Sequence, residues 1–170
     1  DMVKEAGGRV VRTPVGDAFI TEAMAEHGAI FGAEPVGAWV FPDVHMCPDG
    51  VLSALKLIEA LEATETTMEE FVESAPSYPL TRAKLECPNT LKGKAMETIS
   101  KRHDDSIKDV QEVSMVDGLR LELENGWALI RPSGTEPLIR ITVEGRRREY
   151  MESIMEQVKK MVKKVLGGLK

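Results

Sequence analysis

Residues 131–137, Arg-Pro-Ser-Gly-Thr-Glu-Pro, bring a guanidinium, two hydroxyls and a glycine into one short stretch. These are the groups that hold a phosphate dianion. Arg131 offers a planar fork of N–H donors that matches phosphate oxygens. Ser133 and Thr135 offer hydroxyl donors. Gly134, between them, tolerates backbone conformations in which successive N–H groups converge on an anion. Pro132 and Pro137 stiffen both ends, which lowers the ordering cost of binding. Pro, Ser and Gly are also turn residues, and an ordinary strand-to-strand turn has the same composition.

A second candidate is the stretch Gly32-Ala33-Glu34-Pro35-Val36-Gly37. Glu34, on a glycine-bounded loop, can accept two hydrogen bonds from neighbouring sugar hydroxyls. An exposed glutamate in a turn has the same local sequence. The other chemistry-bearing residues are read as quiet. Cys47 and Cys87 form no C-x-x-C pair and have no histidine at metal-ligand spacing, so two reduced thiols and no metal site are expected. His27, His45 and His103 are scattered and suggest no nucleophile–base arrangement.

The elements around the two candidates differ in kind. Residues 1–63 alternate between α and β. Asp1–Ala6 reads as the tail of a helix stopped by Gly7-Gly8, and Arg9–Thr13 as a short strand. Asp17–His27 reads as a helix with Asp17 as its N-cap and Gly28 as its stop. Ala29–Phe31 and Ala38–Phe41 read as strands flanking the Glu34 loop. Val51–Glu62 reads as a helix capped by Asp49, with Val51, Leu55, Ile58 and Leu61 on its buried side. In the connector that follows, Thr67 and Glu70 make a capping box. Pro76 and Tyr78-Pro79 then reset the chain to an extended form.

Residues 80–166 have a different pattern. Leu80–Glu86 reads as a strand and Thr90–Arg102 as a helix. Asp117-Gly118 and Asn125-Gly126 are tight hairpin turns. Leu119, Leu121 and Leu123 alternate with charged residues, as do Ile139, Ile141 and Val143, so each strand has one buried face. Trp127–Ile130 and Leu138–Val143 flank the Arg131 loop. A long helix over 147–166 carries Tyr150, Ile154, Val158, Met161 and Val165 as its apolar stripe. The expected fold is therefore α/β then α+β. A partial layered α/β/α domain (1–66) and a connector (67–79) precede an antiparallel meander packed with helices (80–170).

The bulk composition sets outer bounds. With 170 residues, 42% hydrophobic and 29% charged, the chain is globular rather than disordered. A net charge of −6 argues against nucleic acid as a partner. No apolar run approaches the ~20 residues that span a bilayer. No secretory signal opens the sequence, and a cytoplasmic location is expected.

The string from Arg131 to Ile141, Arg-Pro-Ser-Gly-Thr-Glu-Pro-Leu-Ile-Arg-Ile, resembles the phosphate-binding loop of the α-D-phosphohexomutases. This family includes phosphoglucomutase, phosphomannomutase and phosphoglucosamine mutase. The Glu34 stretch resembles the family's sugar-binding loop, with Glu34 at the position that holds sugar hydroxyls. Val36 stands where many members have Ser, and Ala38 where many bacterial members have His. Thr13–Asp17 and Asp49–Leu55 resemble further stretches of the family's third domain. Asp17 is read as a helix cap or as a residue facing the active site. The resemblance implies the end of domain 3 followed by domain 4, and so a C-terminal fragment of a longer chain.

It also implies a role. Arg131, Ser133, Gly134 and Thr135 would hold the phosphate that is not reacting, and Glu34 would orient the sugar. No catalytic residue and no metal ligand is expected in this segment. The phosphoserine loop and the Asp-rich loop that holds Mg²⁺ belong to the N-terminal half of a family member, and neither motif occurs here. The implied activity is interconversion of hexose 1-phosphate and 6-phosphate through a bisphosphorylated intermediate, with the segment alone inactive. The alternative is a non-catalytic sugar-phosphate-binding or regulatory module. Implied partners are the hexose phosphate and the N-terminal domains of the same protein. The few short strands read in residues 1–63 would leave a sheet edge exposed, and a second copy of the chain is the expected partner there.

Overall fold

The Asp-Gly and Asn-Gly turns and the alternating leucines and isoleucines build one sheet. A computed structural model describes residues 2–34, 37, 39–103 and 106–169. The chain divides into two compact units, Asp1–Pro76 and Ser77–Lys170.

The second unit is a five-stranded antiparallel sheet with helices on one face. Its strands are β3 (Leu80–Glu86), β4 (Val110–Ser114), β5 (Leu119–Leu123), β6 (Gly126–Pro132) and β7 (Leu138–Gly145), in the order β3-β7-β6-β5-β4. The helices are α5 (Lys92–Arg102), entered through a 3₁₀ turn at Asn89–Leu91, and α6 (Arg148–Gly167). Leu119, Leu121, Ala128, Ile130, Ile139, Ile141 and Val143 are fully buried on the covered face. They meet Ala95 and Ile99 of α5 and Met151, Ile154, Val158, Met161, Val162 and Val165 of α6. Each large apolar side chain buried this way stabilises the unit by about 1.5–3 kcal/mol. The period-2 pattern leaves the opposite face polar. Arg120 lies over the Trp127 ring there, 4.0 Å from its centroid, and the Trp127 indole N–H donates to Glu144 at 2.9 Å.

The first unit contains α1 (Met2–Glu5), α2 (Asp17–His27), the strands β1 (Gly32–Ala33) and β2 (Trp39–Val40), α3 (Gly50–Thr64) and α4 (Met68–Ser74). The two strands pair antiparallel, with Gly32 opposite Val40 and Ala33 opposite Trp39. Its buried core among the described residues is Ile20, Met24 and Val40. The Thr67–Glu70 capping box forms as the spacing predicts. The chain is thus α/β in its first unit and α+β in its second.

Four expectations for the first unit need correction. Arg9–Thr13 is not a strand, because no described segment pairs with it, and Val10 and Val11 are exposed. The strand expected at Ala29–Phe31 instead occupies Gly32–Ala33, inside the predicted loop, where Trp39–Val40 offers a partner. Asp17 is not the N-cap of α2. Gly16 takes that place, with no side-chain cap, and Asp17 is the first helical residue. Finally, the apolar stripe of α3 faces outward: Val51, Leu55 and Ile58 are 74%, 59% and 52% exposed. Two strands of two residues each offer too little apolar surface to cover that face. Ser53 is the one side chain α3 buries.

Candidate functional site

The loop at 133–137 is closed by the register of its own hairpin. β6 and β7 pair so that Pro132 faces Ile139, Arg131 faces Arg140 and Ile130 faces Ile141. On the next strand, Lys84 of β3 faces Arg140. Residues directly opposite share a face, so Lys84, Arg140 and Arg131 form a basic row across three strands, on the face away from the helices. Like charges placed directly opposite destabilise a sheet unless something neutral or negative intervenes. Asp117, in the β4–β5 turn, meets Arg131 at 3.1 Å. Glu136, within the loop, pairs with Arg140 and lies 3.8 Å from Lys84. The two guanidiniums are each held by one carboxylate and remain about a third exposed, at 29% for Arg131 and 39% for Arg140.

The two ends of the loop are held by hydrogen bonds, and its tip is not. The Ser133 N–H donates to the Leu138 carbonyl at 2.9 Å, and the Leu138 N–H to the Glu136 carbonyl at 2.8 Å. The Glu136 N–H donates to Ser133 Oγ at 3.2 Å, and Arg140 Nη2 donates to the same oxygen at 3.4 Å. From α5, the Lys92 ammonium donates to the carbonyls of Ser133 at 2.5 Å and Glu136 at 2.6 Å. The N–H groups of Gly134 and Thr135 have no acceptor among the described residues, and both residues are exposed. A trans peptide sets its C=O and N–H in opposite directions. With the Ser133 carbonyl turned to Lys92, the Gly134 N–H points the other way, to the open side. A Cβ built on Gly134 would meet nothing within 4 Å.

The structure therefore gives the four residues singled out in the loop different positions. Arg131 is the last residue but one of β6. Gly134 and Thr135 form the exposed tip. Ser133 is 5% exposed, and its oxygen already accepts two hydrogen bonds inside the turn. Its hydroxyl proton stays available, but its first task is to close the loop. Sequence reasoning missed Asp117, Lys92 and Arg140 as members of this site. Arg140 was within reach of a symmetric hairpin count about residues 135 and 136. Lys92 lies 41 residues from Ser133 and had no local signal.

Glu34 lies in the first unit, at the end of β1. Its Oε1 accepts from the Gly16 N–H at 2.9 Å, and its carbonyl accepts from the Gly37 N–H at 3.1 Å. The segment from Thr13 to Asp17 is thus joined to the Glu34 loop through Gly16, at the start of α2. One carboxylate oxygen of Glu34 is engaged, which leaves the other to accept from a ligand. Val36 and Ala38 lie outside the described residues.

A third cluster corrects the reading of the histidines as scattered. His45 Nδ1 is 2.7 Å from Cys47 Sγ, and His45 Nε2 is 3.3 Å from Asp49 Oδ2. Asp49 also caps α3 through its other oxygen, accepting from the Val51 and Leu52 N–H groups at 2.9 Å each. The signal was the i, i+2, i+4 spacing of His, Cys and Asp on a turn. Cys87 is buried, and that burial pushes its thiol pKa up.

The sequence matches two family models in series. Residues 1–78 match "Phosphoglucomutase/phosphomannomutase, alpha/beta/alpha domain III", and residues 81–161 match "Phosphoglucomutase/phosphomannomutase, C-terminal domain". A probable phosphoglucosamine mutase of Methanopyrus kandleri is 45% identical over 169 residues, covering 97% of this chain and 37% of the relative. A phosphoglucosamine mutase of Methanocaldococcus jannaschii is 39% identical over 169 residues, covering 99% of this chain and 37% of the relative. This chain thus spans little more than a third of the curated relatives it matches. Among solved structures, a phosphoglucomutase/phosphomannomutase family protein from Burkholderia thailandensis superposes with a TM-score of 0.81 at 24% identity, over 96% of this chain and 34% of its own. That likeness speaks for the fold. With consecutive domain models accounting for nearly every residue, the chain belongs to the phosphoglucomutase/phosphomannomutase family.

Proposed function

We propose that this chain is the substrate-recognition part of a phosphohexomutase, interconverting hexose 1-phosphate and 6-phosphate, and that the hexose is of the glucosamine type. The names of its relatives favour that sugar; a phosphomannose substrate is the neighbouring reading. The carrying observation is the loop tip. The Gly134 and Thr135 N–H groups have no acceptor among the described residues, and the hairpin that carries them sets Arg131 opposite Arg140. That arrangement suits a tetrahedral dianion. Arg131 and Arg140 would neutralise it, the two N–H groups and the Thr135 hydroxyl would fix its orientation, and Ser133 would add its free proton. Asp117 already accepts from Arg131 Nη1, which limits the freedom of the fork before a ligand arrives.

The site would hold the phosphate that is not transferring, while Glu34 accepts from ring hydroxyls. Binding energy spent away from the reacting centre orients it, which is how such a site serves the rate. A clamp that reads only a phosphate and a few hydroxyls can accept the sugar in either direction, as an intermediate phosphorylated at both ends requires. Magnesium, implied by the family, would supply charge neutralisation at the transferring phosphoryl group. None of the roles assigned to this chain runs through a metal. The 170-residue chain alone would bind sugar phosphate without turning it over.

Arg131→Ala in the full-length protein tests the reading. It should lower kcat/KM for the sugar monophosphate by roughly 2–5 kcal/mol, the range for truncating one partner of a hydrogen-bonded charge pair. Arg131→Lys should recover part, because a point charge cannot reproduce the fork. Near-normal kcat/KM in a folded Arg131→Ala variant would refute it.

A further inference from the structure

The Cys47–His45–Asp49 cluster lies in the first unit, on the turn that leads into α3. Its three members meet the geometric requirement for an activated nucleophile: a nucleophile within hydrogen-bond reach of a base, and the base oriented by a third group. The hydrogen-bond partners fix the tautomer. The Asp49 carboxylate can only accept, so the proton of neutral His45 sits on Nε2 and points to Asp49 Oδ2 at 3.3 Å. Nδ1 is then free to accept from the Cys47 thiol, 2.7 Å away.

Asp49 stays ionised. The N–H of Leu52, then that of Val51 and the His45 side chain, hold its carboxyl below the usual range. An ionised carboxylate on Nε2 stabilises the imidazolium formed when the thiol gives up its proton. On α3, Lys56 reaches back to Asp43 at 3.9 Å and is held by Glu59 at 3.0 Å, so the nearest lysine of that helix is already compensated. Cys47 is exposed, and His45 and Asp49 are each 35% exposed, so a small reagent reaches the sulfur directly from water.

We propose that Cys47 is a nucleophilic thiol and a modification site for small oxidants of the hydroperoxide class, with His45 as its base and Asp49 orienting that base. In the step, the Cys47 proton moves to His45 Nδ1. The thiolate attacks one oxygen of the peroxide, an S–O bond forms and the O–O bond breaks. The sulfur is oxidised by two electrons to a sulfenic acid. The peroxide is reduced, and its departing oxygen takes the proton from His45 to leave as water or an alcohol.

The test uses the 170-residue chain, in which the buried Cys87 is the internal control. The rate of alkylation by iodoacetamide at neutral pH is followed at each cysteine by mass, in the native chain and in urea. Sulfenic acid formed by hydrogen peroxide is trapped with dimedone and located in the same way. Native Cys47 should react at neutral pH about tenfold faster than in the unfolded chain. Cys87 should stay unmodified. His45→Gln should slow both reactions at Cys47 about tenfold. Asp49→Asn, which keeps a side chain able to cap α3, should slow them less.

A native Cys47 no faster than the unfolded one would overturn the proposal, as would a folded His45→Gln variant with unchanged rates. Fast alkylation with no dimedone adduct would overturn the choice of hydroperoxide. If His45→Gln fails to fold, the native-to-unfolded ratio and the Asp49→Asn variant decide alone.

Discussion

Replacing Lys92 with methionine removes the ammonium that ties α5 to the phosphate loop and keeps most of the side chain's volume. Two carbonyls lose a charged donor. Glu136 keeps the Leu138 N–H at 2.8 Å, so its carbonyl stays paired. The Ser133 carbonyl has no second partner among the described residues, and Ser133 is 5% exposed, so water reaches it poorly. One under-solvated, unpaired carbonyl costs about 1–3 kcal/mol, and Lys92 is itself only half-buried, so the lower half of that range is expected. The second consequence is local. Without the tether, the Ser133–Gly134 peptide can rotate, and the Gly134 N–H no longer points to the open side in every molecule. Phosphate affinity should therefore fall further than global stability does. The assay is urea unfolding followed at the amides of β6 and β7, beside titration with inorganic phosphate. Stability loss without weaker phosphate binding would refute the positioning role of Lys92. Neither loss would show that the two hydrogen bonds contribute nothing.

Gly118 adopts φ +87°, and a Cβ there would stand 2.7 Å from Arg131 Cβ and 2.9 Å from Arg131 Cα. Gly118→Ala should destabilise the second unit in urea unfolding by at least the ~1–3 kcal/mol of a strained backbone position, and it should displace Arg131; unchanged stability would argue against this turn geometry. Asp49 and Glu70 cap α3 and α4, and each is held below its ordinary pKa by backbone N–H groups, foremost those of Leu52 and Thr67 respectively. Because the folded values lie below the unfolded ones, the stability they contribute is whole above about pH 5 and is lost as pH falls through the folded values. Amide exchange in α3 and α4 should accelerate over that acid range, and Asp49→Asn should remove the α3 part of the change.

Much of the second unit was legible because its signals are local. Asp117-Gly118 marks a turn by conformation alone, and the alternation of Leu119, Leu121 and Leu123 names a buried face without reference to any other strand. The stripe of α6 reads off in the same way. The Arg131 loop was visible for a related reason, since its residue types are unusual together. The long-range part was hidden. That Arg131 faces Arg140, with Lys84 beside it, depends on strand register. That Lys92 reaches back to Ser133 depends on where α5 packs.

In the first unit, local reading failed where tertiary context decides. Val10 and Val11 have strand propensity but no described partner, and Val51, Leu55 and Ile58 have helical spacing but no described surface to cover them. His27, His45 and His103 are scattered along the chain, and that scatter hides the local partners of His45. Its partners were two and four residues away on a turn.

The central claim is that the loop tip binds a phosphate dianion, and its most direct test is a titration of the 170-residue chain with hexose 6-phosphate, followed at its amide protons. The Gly134 and Thr135 amides should shift downfield together and saturate. The Gly126 amide, at the opposite end of β6, should hardly move. Arg131→Ala should abolish the saturable shift while leaving the spectrum of the rest of the sheet intact. Shifts at Gly134 and Thr135 no larger than at Gly126, or equal shifts in the Arg131→Ala chain, would contradict the assignment of this loop as a phosphate site.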